Sequence, residues 1–380
     1  MSETPDVLIL GGGIAGASLG AELAADGAAV TVLEAEDQPG YHATGRSAAH
    51  FIECYGPPAV RAFNRATRPF LESPPADFAA HGFLKGRPLV WFAYETGRAA
   101  LEALTAAESC LSPLPVEEAV RRCPILKPDG IVACSVEETA ADIDVAGLHQ
   151  SYLAKLKRLG GRVVVKARAQ AVRREGGCWR VETPAGAYAA PILVNAAGAW
   201  AGEVGRMAGL PPIALNPLRR SAALLPAPAY EGFEAWPLMG DIGERFYFKP
   251  EAGKLLVSPA DEVPVAPHDA YVDDMALAEG LHRFEEGTTV TVERVESSWA
   301  GLRTFANDRQ PLVGFDEAEG GEGFFWYAGQ GGYGIQTSVG MAWNAAAQLQ
   351  GRPVPEPLAG LGLDRAALDP RRPMPTALGH

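Results

Sequence analysis

Residues 6–36, DVLILGGGIAGASLGAELAADGAAVTVLEAE, decide the fold. The run Asp6–Leu10 is apolar throughout and predicts a strand buried on both faces. Gly11, Gly13 and Gly16 follow at GxGxxG spacing, and the apolar residues after them recur at helical intervals. A second strand begins at Ala29 and ends near Glu34. The first glycine permits a tight turn, the second lets backbone approach a pyrophosphate, and the third lets helix and strand pack closely, with the helix N-terminus facing the phosphates. Glu34 stands 23 residues after Gly11, where a carboxylate can accept hydrogen bonds from ribose hydroxyls. Strand, helix, strand and acid in this register predict a dinucleotide site.

Composition agrees with small-molecule chemistry. The chain has 380 residues, 47% hydrophobic and 21% charged, enough for one large core or two smaller ones. A net charge of -13 disfavours nucleic acid and acidic lipid as partners. Cys54, Cys110, Cys123, Cys134 and Cys178 are odd in number and never spaced as CxxC, so neither a disulfide framework nor a metal site is expected. No apolar run approaches the roughly 20 residues of a membrane span, and MSETP carries no basic flank, so the expected compartment is the cytoplasm.

NAD and FAD share the opening fingerprint. After Glu34 an NAD-binding domain would continue with further helices and strands, whereas this chain has the polar loop DQPGYHATGRSAAHF, residues 37–51. Residues 161–200 read as a strand, a polar hairpin and a buried strand ending at Asn195, followed by a turn at Ala197 and Gly198. The first of these strands would line an adenosine, and the turn would pass near the phosphates. Near the other end, YAGQGGYGIQTSVG, residues 327–340, is a second glycine-rich turn leading into a helix expected to start near Gly334. A helix start there would offset negative charge on a reduced flavin ring. Both ends of the chain are thus expected to hold one extended FAD.

Taken in order, GGGIAGAS, GYHATGRSAAH, ADIDVAGLHQ, VNAAGAW, WAGLR and GQGGYGIQTS resemble the D-amino-acid oxidase superfamily of flavoproteins over residues 6–350, most of all its bacterial D-arginine dehydrogenase branch. The resemblance implies an α/β, discontinuous two-domain fold: a Rossmann-like FAD-binding domain (1–85, 146–216 and 311–365) and a substrate domain on a mixed, largely antiparallel sheet (86–145 and 217–310). Residues 366–380 are left as a tail. The sequence pattern adds strands at 87–95, 218–226, 245–258 and 288–296. It also adds a helix after Asp144 that stops at Gly160.

The resemblance also implies site residues. For non-covalent FAD these are Gly11, Gly13, Ile14, Ala15 and Gly16; Glu34 and Ala35; and Thr44, Gly45, Arg46, Ser47, Ala49 and His50, with a helix from about Ala48 running beneath the flavin. Further along they are Arg168, Ala197, Gly198, Trp200, Gly331, Gly332, Tyr333, Gly334, Ile335 and Gln336. Arg303 and Arg220 match the carboxylate-binding arginines, and Arg219, adjacent on the strand, is expected to face outward. Tyr55, on a loop implied to act as a lid, and Tyr247 match pocket tyrosines; His50 and Gly332 lie beside substrate and flavin, and Gln336 at the flavin edge. Where the branch has a glutamate for a cationic side chain, this chain has Leu89, which with Leu238 predicts an apolar pocket; Glu53 is the one acid suspected of reaching it.

The activity implied is oxidative deamination of D-amino acids with neutral or hydrophobic side chains, by hydride transfer from Cα to flavin N5. The resulting imino acid hydrolyses to a 2-oxo acid and ammonia. No metal is needed, and the electron acceptor is not written in the sequence. A secondary-amine (sarcosine- or glycine-type) or 2-hydroxy-acid oxidoreductase fits the same carboxylate clamp. A nicotinamide enzyme or a non-catalytic nucleotide-binding regulator is the reading from another class.

Overall fold

The computed structural model describes residues 4–379. Strand Val7–Leu10 is fully buried and lies between the parallel strands Val30–Leu33 and Ile192–Asn195. Its side chains alternate between two cores. Val7 and Ile9 pack with the helices Ile14–Ala25, Val145–Arg158 and Ser338–Leu349, while Leu8 and Leu10 pack with Trp179, Val181 and Trp326 on the other face. Being covered on both faces is why this strand shows no polar alternation. Arg162–Val164 and Phe324–Ala328 extend the parallel sheet on its two sides, and Leu312–Phe315 closes it antiparallel, making six strands among the described residues.

A second, nine-stranded sheet is drawn from residues 89–137 and 215–306 and is antiparallel apart from the Leu238–Asp241 and Leu89–Ala93 pair. Its longest pairing joins Leu215–Pro226 to Ser297–Ala306, with Leu218 opposite Arg303 and Arg220 opposite Gly301. In the strand Tyr247–Glu251, Phe248 joins Phe246 and Phe284 in the core of this half, which turns Tyr247 and Lys249 to the other face. No helix among the described residues is long and apolar enough to cross a membrane.

Several elements differ from expectation. The alternating stretch 288–296 forms no strand beyond an isolated bridge at Thr288. The place beside Leu215–Pro226 is taken by Ser297–Ala306, so this stretch has no partner to pair with. No helix starts at Ala48. Residues 43–46 make one 3-10 turn, His50–Phe51 pairs with Asp142 and Ala141, and the helix begins at Pro58, where a proline lacks only an amide that the first turn leaves unpaired anyway. The stretch from Gly331 is a series of turns, and the regular helix starts at Ser338. The polar hairpin is a three-stranded meander over 171–190. Asp144 caps its helix through Gly147 N at 2.8 Å, and Gly160 turns the chain out at φ +87°. The proline-rich tail is pinned by Arg371 to Asp316 and by Arg372 to Asp308.

Candidate active site

Two adjoining cavities lie between the sheets. The larger, about 310 Å³, runs from Glu34, Ala35 and Ala167–Ala169 past Gly11, Gly13–Ala15 and Ala197–Trp200 to Arg303, Gly331, Gly332, Gly334 and Ile335. The smaller, about 90 Å³, is lined by His50, Ile52, Tyr55, Trp91, Leu238, Asp241, Glu244, Phe246 and Ala260 among others. Ser47, Ala48, Arg220, Tyr247, Arg303 and Gly332 line both. A single elongated ligand in the larger space would therefore present one end to whatever occupied the smaller.

Backbone sets the larger cavity. Gly11 holds φ +108°, and a Cβ there would stand 2.3 Å from Ala196 O; a Cβ on Gly16 would stand 1.9 Å from Gly11 O. These contacts seat the strand end and the helix start against each other, and the helix N-cap, Gly13, has no side-chain partner. Buried Glu34 accepts from Gly12 N at 2.8 Å and Glu36 N at 2.9 Å, fixing its carboxylate at the end of the second strand. Thr44 Oγ1 accepts from Ile14 N at 3.0 Å, joining the 3-10 turn to the helix start. Arg168 stacks on Trp200 and pairs with Glu36 at 2.8 Å.

Some expected contacts are arranged differently. The Arg46 guanidinium, expected among the FAD-binding groups, donates to Ala270 O, Ala300 O and Asp269, binding its loop to the second sheet. Gly16, Gly45 and Tyr333 line neither cavity: Gly16 packs, Gly45 N bonds to Gly40 O, and Tyr333 fills an apolar cluster with Phe305. Gln336 lines the smaller cavity, but its amide is engaged at both ends by the Ile52 backbone, at 3.0 and 3.2 Å. Leu89 is fully buried in the apolar layer with Cys54 and Leu111 and does not reach the cavity; Trp91, two residues on along the strand, does. Glu53 faces Arg65 and Arg68 instead, and the acids on the cavity are Asp241 and Glu244.

Charge converges where the cavities meet. Arg220, 8% exposed, pairs with Glu262 at 2.8 Å and Glu244 at 3.3 Å, and Glu262 also binds Arg309. Arg303 is different. Its side-chain hydrogen bond is a long one to Tyr55 Oη, 3.5 Å, and no carboxylate lies within ion-pair distance among the described residues. Burial opposes its charge, but the Tyr55 and Tyr247 hydroxyls and the Glu244 and Glu262 carboxylates outweigh that and push its pKa up. Three guanidiniums against two carboxylates leave the cluster one positive charge, at a place open to a ligand. Arg219 faces the opposite side, as alternation requires, but is buried rather than outward, against Asp261 and Asp273.

Beside this cluster stands His50, whose Nδ1 is 3.2 Å from Asp142 Oδ1 and whose buried Nε2 has no partner among the described residues. Burial pushes its pKa down, against the pull of Asp142. Among the described residues the Cys54 and Cys110 thiols and the Glu137 carboxylate lie within 4.8 Å of one another, a grouping that sequence spacing hid; both Glu137 oxygens accept backbone amides of Glu53 and Cys54. Trp91 was legible in principle, since a strand that turns residue 89 to one face turns residue 91 there too. Glu262, Arg309, Asp142 and Lys249 had no local signal beyond a lysine in an apolar strand.

Comparison with known proteins gives this arrangement relatives. The family model described as FAD dependent oxidoreductase (DAO) matches residues 6–348. The mitochondrial dimethylglycine dehydrogenase of Rattus norvegicus is 26% identical over 237 residues, 57% of this chain, which spans 27% of that enzyme. Among solved structures, glycine oxidase from Geobacillus kaustophilus superposes with a TM-score of 0.84 at 21% identity, covering 98% of this chain and 100% of that one. An L-α-glycerophosphate oxidase from Mycoplasma pneumoniae, solved with FAD bound, superposes with a TM-score of 0.80 at 18% identity, covering 92% and 95%.

Proposed function

We propose that this chain, which belongs to the DAO family of FAD-dependent oxidoreductases, oxidises the Cα–N bond of a small amino acid held by its carboxylate. The observation that carries the reading is Arg303: a partly buried guanidinium without a carboxylate partner among the described residues, facing a cavity, in a cluster one negative charge short of neutrality. A cation drawn partly out of water without a counter-charge is unfavourable, so the arrangement favours an anionic ligand.

The larger cavity suits FAD. The close approach at Gly11 and Gly16 leaves the N-terminus of helix Ile14–Ala25 open to a pyrophosphate, and the fixed Glu34 carboxylate stands where a ribose would lie. Gly11, Gly13, Ile14, Ala15, Ala197 and Gly198 would hold the phosphates, and Gly331, Gly332, Gly334 and Ile335 the flavin ring. When bound, FAD accepts a hydride from the substrate's α-carbon.

This chain's own groups do the rest. Arg303 forks the substrate carboxylate, with Arg220 shared between it and Glu262. Tyr55 and Tyr247 close the sides of the cavity, and His50 Nε2 receives an N–H of the substrate. Water then hydrolyses the released imino acid. Trp91, Leu238 and Phe246 give the side-chain wall an apolar character. Neither acid there is without a partner: Glu244 pairs with Arg220, and Asp241, whose pKa burial pushes up, faces Arg245 at 3.9 Å and accepts from Gly243 N. Neutral D-amino acids, as the sequence resemblance implies, are therefore the first reading. The small cavity equally suits an N-methyl or other secondary amino acid, the second reading.

Anaerobic mixing with a panel of D- and L-amino acids, N-methylglycines and 2-hydroxy acids tests this by bleaching of the flavin absorbance. Small neutral D-amino acids should bleach it and release ammonia; formaldehyde release would identify an N-methyl substrate instead. Bleaching by 2-hydroxy acids alone, or by none of the panel, would overturn the amine reading. The flavin itself is expected to be non-covalent, because residues 304–314 contain no cysteine. Acid precipitation should leave a yellow supernatant, and a yellow pellet would refute it.

A further inference from the structure

Lys249 is completely buried in the sheet, opposite Leu256 and on the face turned away from Phe248. Its Nζ lies 2.7 Å from Asp142 Oδ1 and 2.8 Å from Glu251. Asp142 accepts in addition from Arg87 Nε at 2.6 Å, and Arg87 donates onward to Trp236 O at 2.6 Å. With Lys249 and Arg87 buried and Asp142 and Glu251 partly exposed, such a cluster stabilises a fold little compared with an apolar replacement, because desolvating its buried members offsets most of their attraction. The side chain it does act on is His50, through the 3.2 Å contact with Asp142 Oδ1.

Lys and Arg can only donate, so Asp142 must stay an acceptor; its carboxyl is held well below the usual range, where the hydrogen bonds from His50, Lys249 and Arg87 outweigh burial. An ionised Asp142 requires the proton on His50 Nδ1, which leaves Nε2 as a lone pair at the wall of the smaller cavity. A carboxylate alone would also make the imidazole more basic. Here Lys249 and Arg87 cancel that: with Glu251 the cluster is neutral before the ring is counted, so protonating His50 would create a net buried charge.

We propose that Asp142, Lys249 and Arg87, none of which lines either cavity, form a positioning cluster that fixes His50 as the neutral Nδ1–H tautomer and presents Nε2 as a hydrogen-bond acceptor to the substrate's amine. Asp142 sets the tautomer and Lys249 sets the basicity. The role of Nε2 rests on the reading of the cavity as an amino-acid site; the tautomer and its tuning do not. Across the cavity His50 shares space with Tyr55, Tyr247, Arg220, Arg303, Asp241 and Glu244, whose titration or pairing enters any pH profile and is common to the variants compared below.

The sign follows from the charges. Protonation of Nε2 removes the acceptor, so activity falls as pH drops through the His50 pKa, and a depressed pKa keeps the acceptor available to lower pH. Lys249→Met takes away a cation that opposes ring protonation. The holoenzyme labelled with 15N-histidine, with His50 assigned by its loss in His50→Gln, reads the ring directly by NMR. The wild type should show the Nδ1–H tautomer with a titration below that of free imidazole, and Lys249→Met should move the titration upward by about one unit. The acid limb of kcat/KM for a substrate that bleaches the flavin should move with it. Asp142→Asn should mix or reverse the tautomer and lower kcat/KM at pH 8 more than ten-fold, with partial rescue in Asp142→Glu; if Asp142→Asn does not fold, Lys249→Met decides. An Nε2–H tautomer in the wild type, or a His50 titration unmoved in Lys249→Met, overturns the proposal. If the ring behaves as expected but no amine bleaches the flavin, the functional reading fails and the positioning cluster stands.

Discussion

Replacing Arg303 by lysine is expected to lower kcat/KM by roughly a hundred-fold, about 2–3 kcal/mol, while flavin content stays near that of the wild type. Lysine keeps the charge that makes the cluster one anion short, but it loses the planar fork that meets a carboxylate with two parallel hydrogen bonds. It is also shorter in reach and free to rotate, so Cα–H would be held less firmly toward the flavin, and the loss should fall on kcat as well as KM. Arg303→Met should cost more, because it removes the charge too. Arg220→Lys is the informative comparison. Arg220 already has Glu262 and Glu244 as partners, so the same change there perturbs a compensated ion pair and should cost less than at Arg303. Stopped-flow reduction at several substrate concentrations separates binding from chemistry. Unchanged kinetics in Arg303→Lys would mean that the carboxylate is held elsewhere.

What made Arg303 visible in the sequence was a motif; what made it persuasive was the absence of a carboxylate partner among the described residues, which no sequence carries. The N-terminal unit was legible because strand, glycines, helix and Glu34 are consecutive, so local periodicity and spacing describe it fully. The substrate side was legible only in type. Its charged groups come from separate segments, with Glu244 on a tight turn, Glu262 beyond the next hairpin and Arg309 after the last long strand, and they meet only through the register of Leu215–Pro226 on Ser297–Ala306. Leu89 and Trp91 illustrate the same limit. Both residues face the same way, but how far each projects depends on the parallel neighbour, Leu238–Asp241, a long-range pairing. The stretch 288–296 has good strand periodicity and no strand, because alternation describes a surface that fits a sheet and not whether a partner is free to take it. The His50 cluster joins residues 92 and 107 positions apart in sequence and was beyond any local reading.

The larger effect on the folded protein is expected from a single methyl group at Gly16. A Cβ there would stand 1.9 Å from Gly11 O and 3.2 Å from Ile9 Cγ2, far inside contact distance, and the atom it meets first is backbone, which cannot rotate aside. Helix Ile14–Ala25 would have to lift away from strand Val7–Leu10, and that movement is transmitted to both functions of the turn. The helix N-terminus would leave the cavity it faces, and the Thr44 hydroxyl would lose Ile14 N, loosening the loop that carries Ser47 and His50. Overpacking in a core costs typically about 1–3 kcal/mol where side chains can yield, and a backbone clash belongs at or above the upper end. Gly16→Ala should therefore be recovered colourless or insoluble, and any soluble fraction should melt several degrees below the wild-type apoprotein. Gly202→Ala supplies the control: it is an exposed helical glycine where an added methyl would meet nothing within 4 Å, and the change should be neutral or slightly stabilising through helix propensity. Absorbance at the flavin band, divided by protein absorbance, with thermal melts of both variants, makes the measurement. A yellow Gly16→Ala protein with wild-type melting would mean that strand and helix are farther apart than the close contact at Gly11 requires, and the assignment of this turn as the phosphate cradle would fall with it.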